Sequence, residues 1–225
     1  MSYIRLRRSA PRILAALGLL MFLLPGSPNA RTSDRHELHG AQCRQDVLEN
    51  LLSKARSGDR NAQFVMAFMY GAGHCLRQDA EKRLEWLEKA ANQDHPEALF
   101  ELATAYYRGK GLEQNTVIAG RLYRRAAKLG HAGSQKQLGL IMLRDGERTE
   151  ADTSQGLYWL GSAATNGDAL SALLVAYMYE TGTLGVSEDK CLAWDWYEAS
   201  FLLGMQDAKR HMARLDEAGG CVDGK

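Results

Sequence analysis

The feature that most constrains this chain is that it matches itself when slid by 36 residues. Ala62, Ala98 and Ser134 share one column, and Met66, Leu102 and Leu138 share another. The next column is small throughout: Ala67, Ala103, Gly139. Tyr70, Tyr106 and Met142 follow, then Gly73, Gly109 and Asp145. The second half of the unit repeats as Trp86, Leu122, Trp159, then Ala90, Ala126, Ala163, then Asp94, Gly130, Gly167. A fourth copy, one residue out of step, supplies Ser171, Val175, Ala176, Tyr179, Gly182, Trp196, Ser200 and Gly204. Four copies in register signal an array in which each unit buries its apolar face only against its neighbours.

Each copy reads as two helices. Ala98, Leu102, Ala105 and Tyr106 fall at i, i+4, i+7, i+8, so they share one face; Leu122, Ala126 and Leu129 do the same in the second half. Gly109 and Gly111 end the first helix and Gly130 the second, where a left-handed residue closes the turn. The alanines and glycines of the small columns let helix backbones approach, and large residues such as Tyr106 and Trp159 fill the space beside them. A leucine in such a column would overpack, at about 1–3 kcal/mol.

The ends differ in character. Arg5, Arg7, Arg8 and Arg12 precede an apolar run of 12 residues, 13–24, which Pro25, Gly26 and Ser27 break. That run is short of the ~20 residues a membrane span needs, and with Ala30 following it has the anatomy of a secretory signal peptide. Residues 1–30 are therefore expected to be a signal, 31–42 a polar flexible leader, and the protein periplasmic or secreted, with no stable membrane insertion after cleavage. Removing four arginines would leave 24 basic against 27 acidic residues, net −3. A mildly acidic chain has no electrostatic footprint for nucleic acid. Four cysteines remain, and an even number in an exported chain suggests two disulfides, with three connectivities open.

The pattern A-x3-[LM]-[AG]-x2-Y-x2-G, a long loop, then W-[YL]-x2-A-A-x2-G resembles Sel1-like repeats, relatives of tetratricopeptide repeats. The tetratricopeptide pattern has a 34-residue period and its tryptophan in the first helix, whereas Trp86, Trp159 and Trp196 lie in the second. The resemblance covers roughly residues 58–204. It implies an all-α, right-handed α-solenoid of about four hairpins (58–94, 95–130, 131–167, 168–204). Capping helices are expected at each end, from 43–57 and within 205–225. The third copy departs most, with Asp145-Gly146 and the segment after it replacing the G-x-G loop. Alternating helices place all hairpin loops at one end of such an array. Cys43, Cys75, Cys191 and Cys221 then fall at that end, which predicts the pairs Cys43–Cys75 and Cys191–Cys221, since a disulfide spans ~7 Å at most between Cα atoms.

Catalysis finds little support. Ser187-Glu188-Asp189-Lys190 matches S-x-x-K, the nucleophile motif of serine β-lactamases, but neither K-T-G nor S-D-N accompanies it. His95 and His131 share one repeat column, which marks them as structural. A site built from His74, Cys75 and Cys43 matches no familiar zinc spacing. No glycine-rich phosphate loop follows a strand. No metal and no cofactor is expected.

What the resemblance implies is an adaptor or scaffold that binds a protein or peptide and catalyses nothing. The competing readings are a cell-envelope enzyme of β-lactamase or penicillin-binding type and an immunity-type inhibitor of one effector protein. In tetratricopeptide-like stacking the first helices line the inner curve. The positions that vary there, Phe64, Phe68, Phe100, Thr104, Tyr107, Arg108, Lys136, Leu140, Arg144, Leu173, Tyr177 and Glu180, are the expected groove. Exposed aromatics and arginine are the residues that binding hot spots use. The competing reading of Phe64, Phe68 and Phe100 is that they seal neighbouring repeats.

Overall fold

A computed structural model describes residues 44–144 and 149–219, all within one compact unit. The expected signal and leader, Cys43, Cys221 and the third hairpin loop at 145–148 lie outside the described residues. Among the described residues there are ten α-helices and no strand. They are α1 (Gln45–Arg56), α2 (Arg60–Ala72), α3 (Ala80–Asn92), α4 (Pro96–Arg108), α5 (Thr116–Lys128), α6 (Ala132–Arg144), α7 (Glu150–Thr165), α8 (Ala169–Thr181), α9 (Lys190–Leu202) and α10 (Ala208–Glu217). Helices α2 to α9 form four hairpins, flanked by α1 and α10, and each helix packs on its neighbours in sequence.

The small columns are the stacking surface. Ala98, Ser134, Ala103, Gly139, Ala126 and Ala163 are all buried, as are their counterparts in the first and fourth repeats. Leu87, Leu99, Leu160 and Tyr197 fill the space between them. Burying each such side chain contributes about 1.5–3 kcal/mol.

Helix starts are set by side chains that accept a hydrogen bond from the N3 amide, satisfying a donor the helix itself cannot. Asp79, Asn115, Thr149 and Asp189 do this for the second helices. Asp59, His95, His131 and Asp168 do it for the first. The next position in that column is Met205, which has no such acceptor. Accordingly α10 begins three residues later, at Ala208, without a side-chain cap. Helix ends use left-handed residues, as at Gly109 (φ 68°). The first repeat junction places Asp94 (φ 56°) where the other repeats have glycine. Its carboxylate accepts two hydrogen bonds from Arg125, at 2.6 and 3.1 Å, which ties the strained turn to α5.

His95 and His131 cap through Nδ1, at 3.4 Å from Ala98 N and 3.0 Å from Ser134 N. A capping Nδ1 must be unprotonated. Burial pushes both imidazoles below their ordinary value, outweighing the carboxylate Glu97 beside each. Glu97 lies 3.2 Å from His95 Nδ1, so His131, with the shorter cap, is the firmer of the two. The unfolded histidines titrate near 6.5 and the folded ones lower, so their contribution is fully present above pH 6.5 and is lost as pH falls below it. The urea midpoint should therefore drop between pH 7.5 and 5.5. His131→Asn retains a cap without a titrating group and should show a smaller drop. An equal drop in the variant would remove His131 as a cause.

Candidate functional site

The expected groove residues fall into two columns of the first helices with different environments. One column joins consecutive repeats. Phe64 stacks on His95 with ring centroids 4.6 Å apart, and Phe100 lies over His131 at 4.7 Å. In the third repeat Lys136 takes the same place and pairs with Asp168 at 2.6 Å. Burial pushes the Asp168 carboxyl up, but Lys136 and the Ser171 amide hold it below its ordinary value. Leu173, the fourth member, packs in the core cluster of α9 and α10. Each residue of this column except Leu173 touches the helix cap of the next repeat. All four are half-buried.

The other column faces outward. Phe68 is 63% exposed, Leu140 37% and Tyr177 50%. Thr104 is the polar member, half-buried, with its hydroxyl 3.0 Å from Tyr123 Oη. Arg108 and Arg144 are exposed nearby, and Arg144 donates to Tyr107 Oη at 3.1 Å. Tyr107 is half-buried against α5. Glu180 is engaged at the far end. It accepts from Tyr197 Oη at 2.6 Å and from Arg214. His211 stacks on the Tyr197 ring.

Between the first two repeats lies a cleft of about 510 Å³. Phe64 and Phe68 of α2, Arg83 and Leu84 of α3, Glu101 of α4 and Lys110 of the following loop line it. Arg83 donates to Glu101 at 2.7 Å, bridging the two repeats. The wall of the cleft carries an exchange of sizes. In the repeat columns Arg83 stands where later repeats have Ala119, Gly156 and Ala193, all buried. The facing position is Gly71, where later repeats have Tyr107, Leu143 and Glu180. A Cβ on Gly71 would lie 2.7 Å from Arg83 Cδ, just as one on Gly156 would lie 2.6 Å from Leu143 Cγ. The large side chain thus comes from the second helix in the first repeat and from the first helix in the third.

Sequence reading named Phe64 and Phe68 of this cleft and missed Gly71, Arg83, Leu84 and Glu101, because it followed the first helices alone. The break in two columns at once, glycine for a large residue and arginine for a small one, was the signal that would have found them.

The remaining sequence candidates are not brought together. Ser187 and Lys190 are both exposed, and Lys190 Nζ pairs with Glu188 at 3.3 Å. No group of three or more metal-ligating side chains occurs among the described residues. Neither Cys75 nor Cys191 is a free thiol. Their expected partners, Cys43 and Cys221, lie outside the described residues.

Comparison with known proteins places this architecture. The Sel1 repeat matches residues 60–95, 96–131, 132–168 and 169–205. Among curated proteins, chitin synthase regulatory factor 2 of Schizosaccharomyces pombe is 30% identical over 186 residues, 77% of this chain and 36% of its own length. The chitin synthase regulator SKT5 of Saccharomyces cerevisiae is 31% identical over 150 residues, 60% of this chain and 21% of its own. The chain thus spans about a third or less of these relatives. Among solved structures, a Sel1 repeat protein from Oxalobacter formigenes superposes with TM-score 0.70 at 26% identity, covering 85% of this chain and 78% of that one. The protective antigen c5321 of uropathogenic Escherichia coli gives 0.67 at 28%, covering 75% and 36%. The curated relatives correct the expected periplasmic or secreted location: both are yeast proteins named as regulators of chitin synthase. A basic, apolar opening stretch is a compositional pattern, and residues 1–30 lie outside the described part. No described helix is long and apolar enough to cross a membrane.

Proposed function

The chain belongs to the Sel1 repeat family, and from that premise we propose that it is a non-catalytic scaffold or adaptor. Its partner is a protein or peptide, held along the first helices on the concave face of the solenoid. The observation that carries this reading is the outward column of α2, α6 and α8. Phe68, Leu140 and Tyr177 stay exposed there in three of the four repeats, although each lies beside buried core. Large apolar side chains recurring on one face mark an interaction surface. The regulatory names of the curated relatives support an adaptor over an enzyme.

The test is the double substitution Phe68→Ser with Tyr177→Ser, followed by crosslinking capture from native extract. Because both side chains are exposed, stability should change by less than about 1 kcal/mol, while capture of the partner should weaken ~10-fold or more. Unchanged capture would remove this face as the binding surface.

A further inference from the structure

We propose that the cleft between the first two repeats recognises an acidic peptide segment, taking a carboxylate on Arg83 and the neighbouring apolar side chain against Phe64 and Phe68. The inference rests on the adaptor reading and specifies part of what the partner must carry.

Three observations lead there. The first is the position of the guanidinium. Arg83 occupies a column that the other three repeats fill with buried alanine or glycine. Its side chain is only 26% exposed. A charge brought into such a place needs partners, since an unpaired one is strongly disfavoured. Glu101 supplies one through a single N–H to carboxylate hydrogen bond. A guanidinium carries five N–H donors in a rigid fork, so a second carboxylate can be met without displacing the first. Glu101 then holds the fork in orientation.

The second is the space. Gly71 is a helical residue at which any side chain would strike Arg83. The missing side chain makes room for the Arg83 stem, where Tyr107 occupies the equivalent position in the second repeat, and Arg83 thereby forms part of the cleft wall. The third is the sign of the lining. Arg83 and Lys110 stand against Glu101 alone, so the cleft has one positive charge in excess. Phe68, the most exposed member of its column, forms part of the wall. A cationic site beside an apolar wall complements a carboxylate with an apolar neighbour, and a neutral or basic segment would leave the excess charge unanswered.

An ion pair that merely staples two repeats together would share the geometry but not the ligand. The two are separated with the full chain and two N-acetylated, fluorescein-labelled peptides, Glu-Phe-Glu-Leu-Glu and Gln-Phe-Gln-Leu-Gln, followed by anisotropy. The acidic peptide should bind at least ~10-fold more tightly than the amide peptide, and Arg83→Ala should abolish that preference. Glu101→Gln, which keeps a side-chain oxygen to accept from the guanidinium and removes the one negative charge of the lining, should tighten the acidic peptide by several-fold. It also serves if Arg83→Ala does not fold. Equal binding of both peptides would overturn the carboxylate assignment while leaving a peptide-binding face intact. Binding of neither would overturn this cleft as a site, with the adaptor reading still decided by the Phe68 and Tyr177 capture experiment. A preference that survives Arg83→Ala, or an unchanged affinity in Glu101→Gln, would overturn it as well.

Discussion

Replacing Gly139 by leucine should lower stability by about 3 kcal/mol, the top of the usual range for overpacking, and Tm by roughly 6–12 °C for a domain of this size. Gly139 lies in α6 against Gly156 and Leu160 of α7. A Cβ there would lie 2.9 Å from the Gly156 carbonyl oxygen and 2.9 Å from Leu160 Cγ. The first obstacle is backbone, which cannot rotate away, and the second is a buried side chain in close-packed surroundings. Gly156 on the facing helix is equally confined, by Leu143. Gly120 in α5 is the control. It is also helical, but nothing lies within 4 Å of its would-be Cβ. Gly120→Ala should therefore stabilise by about 0.5–1 kcal/mol through helix propensity alone. Thermal unfolding of the two variants should move in opposite directions. A neutral Gly139→Leu would mean that the two helices of the third repeat can move apart without cost.

Glu180→Leu should cost about 1–3 kcal/mol and release α10 before the rest of the array. The Glu180 side chain is 12% exposed and is where α8, α9 and α10 meet. It accepts from Tyr197 Oη and from Arg214, and His211 Nδ1 lies 3.8 Å away. Tyr197 is fully buried. Burial, and then the hydrogen bond to Glu180, hold its phenol protonated far above the ordinary range. Leucine would fill the volume but leave the buried phenol hydroxyl without its acceptor, which carries the cost, while the exposed Arg214 remains solvated. Glu180→Gln keeps an acceptor for Tyr197 and should recover much of the loss. Hydrogen exchange is the readout: amides of α10 should lose protection in Glu180→Leu at denaturant concentrations where those of α4 and α5 keep it. Uniform loss across the chain would show that Glu180 supports the array as a whole.

Much of this was present in the sequence because a repeat reports the same physical constraint four times. A single alanine on a helix says little, but Ala67, Ala103, Gly139 and Ala176 at one spacing say that two backbones meet there. All four are buried at helix contacts. The same redundancy made the two-helix unit, its left-handed helix ends and its family legible, since each depends on local spacing and backbone conformation. What a column could not state was the direction of a side chain that varies. Phe64, Phe68 and Phe100 are the same residue type on equivalent helices. Yet Phe64 and Phe100 close onto the histidine caps of the next repeat, while Phe68, one turn on, points to solvent. That difference is set by where the next hairpin lies. The place of Arg83 in the cleft wall depends on tertiary structure in the same way, because Gly71 and Arg83, two column breaks 12 residues apart, face each other only once α2 and α3 are packed. Sequence therefore determined the unit, its repetition and its stacking surface, which follow from local periodicity. Which side chains are left for a partner was decided by the packing of neighbouring repeats, because burial is a property of the space between helices.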